Sequence, residues 1–374
     1  MFTPSHWIGL FVLILSCSMP SDSTQTIALE VGPGKPFARI EDAYAQAHPG
    51  DTILVYPLPD NQPYLQVALY IDQPHITFRA ASWATGQRIP LSGENFDYSG
   101  RGQVPRAIFQ FNRGADGATV EGFELFGAHN ESHNGAGIRI NQANDVTVRH
   151  CEIHHNDMGV MSNGDHTPDT ARNQLFEHCE IHHNGDETHP GFNHNLYLGG
   201  TSAFVRFCDI HSSLTGQNLK SRAHFNWIEA SYIHHSANRE LDLVDDDDTA
   251  QPQSHTVLIG CIVAKDPQCR GNHQVIHFGQ DIGKERDGTL YLIHNTIITP
   301  FVSAVVHLSA PQARVYLVGN IIDDGGNGQK NQVLAWGREG GDPANMSGER
   351  NFFSAGFVLE GTALDLGAYE YPGD

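Results

Sequence analysis

Three short segments of the chain concentrate side chains that can exchange protons or hold charges. Each alternates apolar or small residues with polar ones: Asn195-Leu-Tyr197-Leu198, Asn218-Leu-Lys220-Ser-Arg222 and Glu240-Leu-Asp242-Leu243. Successive side chains of a β-strand point to opposite faces, so the polar members are predicted to point outward and the leucines inward. A basic pair on one face suits removal of a proton beside a bound carboxylate, and a pair of carboxyl groups suits acid–base catalysis.

The same alternation assigns further side chains to that face. Arg139 lies on an upstream segment, His277 on a downstream one, and His224 just after the central segment. Adjacent strands lie about 4.8 Å apart, so these side chains are predicted to form one polar surface together with the three segments. Trp227 and Trp336 are predicted to point inward, into the core.

The elements that position these residues repeat along the chain. A three-residue motif returns at intervals of 23 to 34 residues, starting at Cys151, Cys179, Cys208, Ser231, Cys261, Asn295 and Asn320. Units this short cannot bury an apolar face alone, so they must stack on one another. Their β-branched runs alternate with period two, which predicts strands. The sequence therefore predicts a parallel β-solenoid with one sheet at 137–140, 158–162, 194–199, 217–223, 239–245, 274–279, 303–309 and 332–337, and a second at 146–153 and its repeats.

The start of this region resembles a known superfamily. Val31-Gly-Pro-Gly-Lys-Pro-Phe37 precedes an amphipathic stretch at 38–48, predicted to be a short helix, and then Pro49-Gly-Asp-Thr-Ile-Leu-Val55. This order is similar to the beginning of right-handed parallel β-helix proteins of the pectate-lyase-like superfamily. Asp365-Leu-Gly-Ala-Tyr-Glu370 is similar to the end of exported bacterial members. The resemblance covers residues 28–371 and implies an all-β, single-stranded right-handed parallel β-helix with an N-terminal capping helix. It implies no single activity, because the superfamily includes lyases, hydrolases, epimerases and non-catalytic members.

The first hypothesis for the polar face is a polysaccharide lyase that cleaves a uronic-acid polymer by β-elimination. That reaction needs a base for the C5 proton, a cation for the adjacent carboxylate and an acid for the departing oxygen. Lys220 is the predicted base, Arg222 the predicted carboxylate clamp and Tyr197 the predicted acid. The predicted substrate contacts are Asn195, Asn218, His224, His277 and Arg139.

Two other functions remain open. Glu240 and Asp242, about 6.5–7 Å apart along one face, could serve as the carboxyl pair of a glycoside hydrolase. Alternatively the solenoid is a non-catalytic glycan-binding surface protein, in which Lys220 and Arg222 simply pair with these two acids. Glu240, Asp242 and Asp245 could also hold Ca²⁺, which prefers oxygen ligands. Beyond that ion, no cofactor is predicted.

Cysteine and histidine recur with the repeat. Cys151, Cys179 and Cys208 hold equivalent positions of successive coils, which predicts an interior ladder of small side chains and not disulfides. Ile-His-His recurs at His154, His182 and His234, where stacking in turns is favoured over Zn²⁺ binding.

The ends and the charge of the chain indicate where it acts. Residues 1–17 resemble an export signal that ends in a bacterial lipobox, with Cys17 the predicted lipidation site and 18–27 a tether. We therefore expect an exported, membrane-anchored lipoprotein at the cell surface or in the periplasm, monomeric and contacting the membrane only through its lipid. A formal net charge of −21 argues against nucleic acid as a partner.

Overall fold

The chain winds into a stack of coils, each built from three strands. The computed structural model describes residues 27–354, apart from 190, 248–251, 285, 327 and 329–332, together with residue 357. Within a coil the chain passes from sheet A to sheet B to sheet C, and it then returns to sheet A one coil further along. The strands of each sheet pair in parallel. The architecture is the predicted right-handed parallel β-helix.

Sheet A begins the stack and contains twelve described strands. They are β1 (Ala28–Val31), β2 (Thr52–Val55), β5 (Thr77–Ala80), β8 (Thr119–Glu121), β11 (Thr147–Arg149), β14 (Gln174–Glu177), β17 (Ser202–Arg206), β20 (Phe225–Glu229), β23 (Thr256–Ile259), β26 (Thr289–Ile293), β29 (Arg314–Val318) and β32 (Met346–Glu349). The helix α1 (Ile40–Tyr44) packs against β1 and β2 and buries Ile40 and Ala43. The predicted capping helix is thus confirmed, although it is shorter than 38–48.

Sheet B follows sheet A within each coil and consists of short strands. They are β3 (Tyr64–Leu65), β6 (Ile89–Ser92), β9 (Phe123–Phe126), β12 (Glu152–His154), β15 (Glu180–His182), β18 (Asp209–His211), β21 (Tyr232–His234), β24 (Ile262–Ala264), β27 (Thr296–Ile298), β30 (Ile321–Asp323) and β33 (Phe352–Phe353). Most present one buried residue between two that are more exposed.

Sheet C completes each coil, and its last eight strands match the first predicted sheet, whereas its first two were not predicted. Its strands are β4 (Leu69–Ile71), β7 (Ala107–Phe111), β10 (Ala136–Asn141), β13 (Met158–Asn163), β16 (Leu196–Leu198), β19 (Leu219–Ser221), β22 (Leu241–Leu243), β25 (Ile276–Phe278), β28 (Ala304–Leu308) and β31 (Val333–Gly337). The inward side chains of the three sheets fill one continuous apolar core.

The chain bends between sheets A and B through a residue in the left-handed region. His150, His178 and Phe207 have φ of 54°, 52° and 53° at this corner. The predicted second sheet joined the two strands that this bend separates, and that part of the prediction is wrong. The period-two alternation breaks at this point, because the buried Val148 and Cys151 are three residues apart, although both lie in the predicted strand 146–153. The structure therefore has three sheets where the sequence predicted two.

The residue after this bend points inward and builds the predicted ladder. The Sγ of Cys151 lies 3.3 Å from the carbonyl oxygen of Arg149, and Cys179 and Cys208 repeat that contact at 3.4 and 3.3 Å. Cysteines 151, 179, 208, 261 and 269 are buried and free. The interior ladder of small side chains is confirmed.

A second interior ladder lies at the corner between sheets B and C. Asn184 donates from Nδ2 to Oδ1 of Asn195 (2.9 Å), Asn195 donates to Oδ1 of Asn218 (2.8 Å), and Asn218 donates to Oε2 of Glu240 (2.7 Å). Glu240 ends next to Lys265, 3.6 Å away, with both side chains fully buried. The prediction that Asn195, Asn218 and Glu240 point outward is therefore wrong. These residues precede their strands, where the chain is still turning and strand alternation does not apply.

Replacing Asn195 by alanine should destabilise the fold strongly. The change removes the partners of Asn184 and Asn218 inside the core, and each buried polar group left unpaired costs about 1–3 kcal/mol. Urea unfolding followed by circular dichroism measures the loss. The control is Gln103→Ala on an exposed loop, which should leave the free energy of unfolding within about 0.5 kcal/mol. Equal stability of the two variants would contradict a structural role for the ladder.

Candidate functional site

The outer face of sheet C carries one continuous row of side chains in register. Strand pairing places them opposite one another in the order Gln110, Arg139, Met161, Tyr197, Lys220, Asp242, His277, His307 and Trp336. The predicted outward positions of Arg139, Tyr197, Lys220, Asp242 and His277 are confirmed. Trp336 belongs to this row and Trp227 to the outer face of sheet A, so their predicted inward positions are wrong.

Lys220 lies at the centre of the row between two carboxylates. Its Nζ is 3.3 Å from Oδ2 of Asp242 and 3.0 Å from Oδ2 of Asp281. Burial alone would raise the pKa of Asp242, but its hydrogen bond with His277 and the charges of His277, Lys220 and Arg239 hold that pKa well below its usual range. Burial likewise opposes ionisation of Asp281, while Lys220 and Arg222 lower its pKa. Both carboxylates are therefore ionised at neutral pH.

Arg222 and Tyr197 complete the centre of the site. The Nε of Arg222 donates to the phenol oxygen of Tyr197 at 2.8 Å, and its Nη2 contacts the same Oδ2 of Asp281 that Lys220 contacts. The third nitrogen, Nη1, donates to the backbone carbonyl of Asp245. Lys220 Nζ lies 5.8 Å from the centre of the Tyr197 ring. The predicted catalytic residues Tyr197, Lys220 and Arg222 therefore come together in one cluster.

Asp242 also connects to a histidine and a serine. Nδ1 of His277 is 2.8 Å from Oδ1 of Asp242, and Nε2 of His277 is 2.7 Å from Oγ of Ser309. This order resembles the acid–base–nucleophile chain of serine hydrolases. Ser309 is fully buried, however, and its hydroxyl also contacts the backbone N and O of Gln280. The hydrogen bonds from Asp242 through His277 to Ser309 therefore orient the imidazole of His277, and Ser309 is not an accessible nucleophile.

Two further imidazoles near the row are held neutral. Burial, with a smaller effect of the charge on Lys220, lowers the pKa of His194 to about 3. Nδ1 of His194 accepts a hydrogen bond from the backbone N of Gln217 (3.1 Å), and its ring lies edge-on to Tyr197. Burial and then the charge of His277 lower the pKa of His307 to about 4. These rings add polarity to the site without adding charge.

A tightly anchored loop brings Asp281 to the cluster. Asp245 is fully buried, and its carboxylate accepts backbone N–H groups of Asp281 (2.5 Å), Ile282 (3.0 Å) and Lys284 (2.5 Å). Arg286, also fully buried, donates to the carbonyl oxygens of Val244, Ala223 and Ser254. Asp245 therefore holds this loop in place.

The predicted calcium ligands do not converge. Glu240 lies inside the core beside Lys265, Asp242 is bonded to Lys220, Arg239 and His277, and Asp245 is occupied by the loop. Among the described residues, no metal-competent group contains these three acids. The structure does not bring these three acids together, because Glu240 precedes the strand Leu241–Leu243 and Asp245 follows it. Binding of Ca²⁺ stays a prediction.

His224 lies in the turn from sheet C to sheet A and not on the row. Its backbone N donates to the carbonyl of Gly200 and its carbonyl accepts from Ser254. The structure thus supports a place near the site for His277 and Arg139, but not for Asn195 and Asn218, which are buried, nor for His224.

The repeated His-His pairs occupy two positions. The first histidine of each pair lies in a strand of sheet B, where the rings of His154 and His182 stack 5.1 Å apart. The second lies in the following turn with positive φ, as at His155 and His183. The predicted stacking in the turn is confirmed for this pair at 5.7 Å, and the stack in the strand adds to it.

Sequence reasoning missed three residues of the site, Asp281, Ser309 and Arg239. Ser309 and Arg239 lie at the ends of the predicted strands 303–309 and 239–245, whereas Asp281 lies between predicted strands. His194, at the edge of the predicted strand 194–199, packs edge-on against Tyr197. The contact of Asp281 with Lys220 joins residues 61 positions apart and has no local signal.

The predicted export signal, Cys17 and the tether lie outside the described residues, except for Ile27, as does the C-terminal motif at 365–370. These parts of the sequence analysis stay predictions. Across the described residues, no helix is both long and apolar enough to span a bilayer.

Comparison with known proteins gives similarity of architecture only. The sequence matches no protein-family model and no curated protein. Among solved structures, the pectate lyase Pel9A is 14% identical, with a TM-score of 0.46 over 93% of this chain and 80% of that one. A pectin methylesterase from carrot is 11% identical, with a TM-score of 0.42 over 91% and 87%. Pectin methylesterase PemA from Erwinia chrysanthemi is 10% identical, with a TM-score of 0.35 over 93% and 94%.

The free energy of unfolding should decrease as the pH is lowered below about 6.5, partly because of His194. Its pKa is about 3 in the folded chain, whereas an unfolded histidine titrates near 6.5. Below pH 6.5 the unfolded state therefore binds more protons, and this site lowers the free energy of unfolding by up to about 1.4 kcal/mol per pH unit. The effect is absent above pH 6.5. Unfolding curves at pH 7 to 4 should show a smaller loss for His194→Gln than for wild type. His48→Gln, at a side chain that is 84% exposed, should parallel wild type. Parallel curves for all three proteins would contradict this role of His194.

Proposed function

We propose that the outer face of sheet C binds an anionic, uronate-containing polysaccharide and cleaves it by β-elimination at Tyr197, Lys220 and Arg222. One observation carries the proposal: Lys220 and Arg222 both contact a single carboxylate oxygen, Oδ2 of Asp281. Two cations that converge on one such oxygen are spaced to neutralise a carboxylate, which is what proton removal beside a uronate requires.

A further cation lies along the row. Arg139 lies three coils upstream of Lys220, donates to Asn141 and Met161, and has no carboxylate partner among the described residues. Burial and the nearby charge of Arg106 lower the pKa of Arg139 to about 10. In a protein with a net charge of −21, the row thus carries cations at two points, Arg139 and the Lys220–Arg222 pair. A polymer with repeated carboxylates would lie along it, since the row runs parallel to the stack of coils.

The proposed roles differ in one respect from those predicted from the sequence. Lys220 is held between the carboxylates of Asp242 and Asp281, so its Nζ is engaged by two anions and not directed at a C5 proton. Lys220 and Arg222 therefore neutralise the substrate carboxylate together. Tyr197 is the better proton carrier, because Arg222 Nε orients its phenol oxygen through a hydrogen bond of 2.8 Å and Lys220 Nζ lies 5.8 Å from the centre of its ring.

In the proposed reaction one residue, Tyr197, carries out both proton transfers. Tyr197 as phenolate takes the proton from C5, the electrons of that C–H bond form the C4–C5 double bond, and the C4–O bond breaks. The departing oxygen takes the proton back from Tyr197. No cofactor takes part in these steps, and the product carries a new double bond.

The hydrolase alternative loses its predicted carboxyl pair. Glu240 lies inside the core, and burial raises its pKa to about 7, out of contact with the outer face. The carboxylates that do face outward, Asp242 and Asp281, both have lowered pKa values and cannot supply a proton at neutral pH. Hydrolysis of a glycosidic bond needs one protonated carboxyl group.

Tyr197→Phe should abolish most turnover without loss of polymer binding. Loss of a general acid–base group typically costs about 10²–10⁴-fold in kcat. The purified chain is incubated with pectate, alginate, chondroitin-type and ulvan-type polymers, and ultraviolet absorbance of the unsaturated product is followed. Tyr316→Phe, on the outer face of sheet A, is the matched control and should keep wild-type activity. New reducing ends without a double bond would favour a hydrolase. Binding without any cleavage would favour a non-catalytic protein.

Arg139→Gln should weaken substrate binding and leave the chemical step intact. A hydrogen bond to a charged group contributes about 1.5–3 kcal/mol, so KM should rise by about tenfold or more while kcat stays within about twofold. The salt dependence of KM should also become shallower. The control is Arg314→Gln, at the exposed first residue of strand β29 in sheet A. An unchanged KM would place the polymer elsewhere on the surface.

A further inference from the structure

Two histidines and an aspartate converge outside the sheet C row. His133 lies in the loop between β9 and β10, and Asp186 and His189 lie in the loop between β15 and β16. Nδ1 of His133 is 2.5 Å from Oδ2 of Asp186, and Nδ1 of His189 is 3.1 Å from the same oxygen. The two rings lie 3.5 Å apart between centroids. None of the three residues belongs to the repeated motifs, so the coil repeat does not account for their convergence.

We propose that His133, Asp186 and His189 form a binding site for a divalent transition metal, with Zn²⁺ as the best match. Two imidazole nitrogens and one carboxylate oxygen are the ligand set that Zn²⁺ accepts, whereas Ca²⁺ and Mg²⁺ select oxygen ligands. The three ligand atoms lie within 4.8 Å of one another. Zinc bonds of about 2.0–2.2 Å place neighbouring ligand atoms about 3–3.5 Å apart, so a sub-ångström outward shift of His133 would admit the ion.

The carboxylate of Asp186 is fixed by neighbouring hydrogen-bond donors, as carboxylates that bind metals commonly are. Its other oxygen, Oδ1, accepts from the backbone N and the hydroxyl of Thr188 at 2.9 and 2.7 Å. Those bonds leave Oδ2 as the atom directed at both histidines. Carboxylates that bind metals are commonly fixed in this way by neighbouring donors.

The two loops are already joined beside the cluster. Asn193 is fully buried, accepts the backbone N–H of Asp186 at 3.2 Å and donates from Nδ2 to the carbonyl of His133 at 2.6 Å. The backbones are therefore held in place before any ion binds, which reduces the entropy lost on binding. The side chains of His133, Asp186 and His189 are 33%, 22% and 43% exposed, so an ion can enter from solvent and keep a water ligand.

The stacked histidines of sheet B are a weaker candidate for the same ion. His182 and His211 each lie 3.9 Å from Oε1 of Glu180, but their rings stand parallel, 4.8 Å apart. Parallel stacked rings do not direct their nitrogens at a common point, and Arg88 holds the other oxygen of Glu180. This cluster therefore serves as the comparison in the test.

The test is zinc binding by the full chain, read without any activity assay. Metal-stripped protein is titrated with Zn²⁺ in competition with a chromophoric chelator, and Co²⁺ is used separately as a spectroscopic probe of the ligands. Wild type should bind one ion, and His133→Gln and His189→Gln should each weaken binding by at least about tenfold, since even loss of a supporting group costs about 10–100-fold. Cobalt absorption should change in both variants.

Two controls assign the site. His129→Gln alters the same loop at a histidine paired with Asp157, and His182→Gln alters the sheet B stack. Both should bind Zn²⁺ like wild type, and circular dichroism should show that all four variants are folded. Loss of binding in His182→Gln with retention in His133→Gln and His189→Gln would overturn the proposal in favour of sheet B. If wild type binds no zinc, the proposal is also overturned, and His133, Asp186 and His189 form only a hydrogen-bonded ion pair.

Discussion

The hydrogen-bonded ladder between sheets B and C is the interaction on which the rest of the structure depends. At that corner the chain turns, and its buried backbone groups need partners that neither sheet supplies. Asn184, Asn195 and Asn218 supply them. Asn184 and Asn195 also donate to the amide of the next coil, and Asn218 donates to the carboxylate of Glu240. The coils are thereby locked in one register. A slip of one residue would exchange the inner and outer faces of every following strand, so the ladder also fixes which side chains meet outside.

The ladder and the outer row meet in the acidic strand β22. Glu240 is held from inside by Asn218, by Lys265 and by the backbone N of Ser236 at 3.0 Å. Two residues later Asp242 is held from outside by Lys220 and His277. This strand is thus bonded through side chains on both of its faces. The position of Asp242 is therefore set by core packing as much as by its neighbours on the surface, which makes it a rigid support for Lys220.

The sequence predicts the direction of those site residues that lie within strands, where side chains alternate between the two faces, but not of those that lie just outside the strands. Tyr197, Lys220, Asp242 and His277 lie within strands, and their outward direction and common row follow from period-two alternation together with the repeat. Asn195, Asn218 and Glu240 come one residue before their strands, where the turning backbone directs side chains into the corner. No property of an isolated Asn-Leu or Glu-Leu pair reveals this, because the deciding partner, such as Lys265 for Glu240, is distant in sequence.

The bend between sheets A and B shows the same limit in the fold itself. Residues 146–153 are predicted as one strand, yet His150 adopts a φ of 54° and splits it, which accounts for the three-residue spacing between the buried Val148 and Cys151. Histidine tolerates this region better than most residues, but tolerance is not a signal, and Phe207 fills the equivalent position one coil away from His178. Eight coils could be located from the sequence, whereas the upstream strands β4 and β7 and the number of sheets per coil required the backbone.

The ion pairs of the central cluster hold its cations apart and in fixed orientations. Among the described residues, Lys220, Arg222 and Arg239 contact the carboxylates of Asp242, Asp281 and, at 4.0 Å, Asp245. Asp281 is held in place, because Asp245 and Arg286 anchor its loop through backbone groups. The cations are therefore separated and oriented before a ligand arrives. A bound carboxylate would meet them with little reorganisation, and electrostatic stabilisation is most effective when the charged groups are fixed in advance.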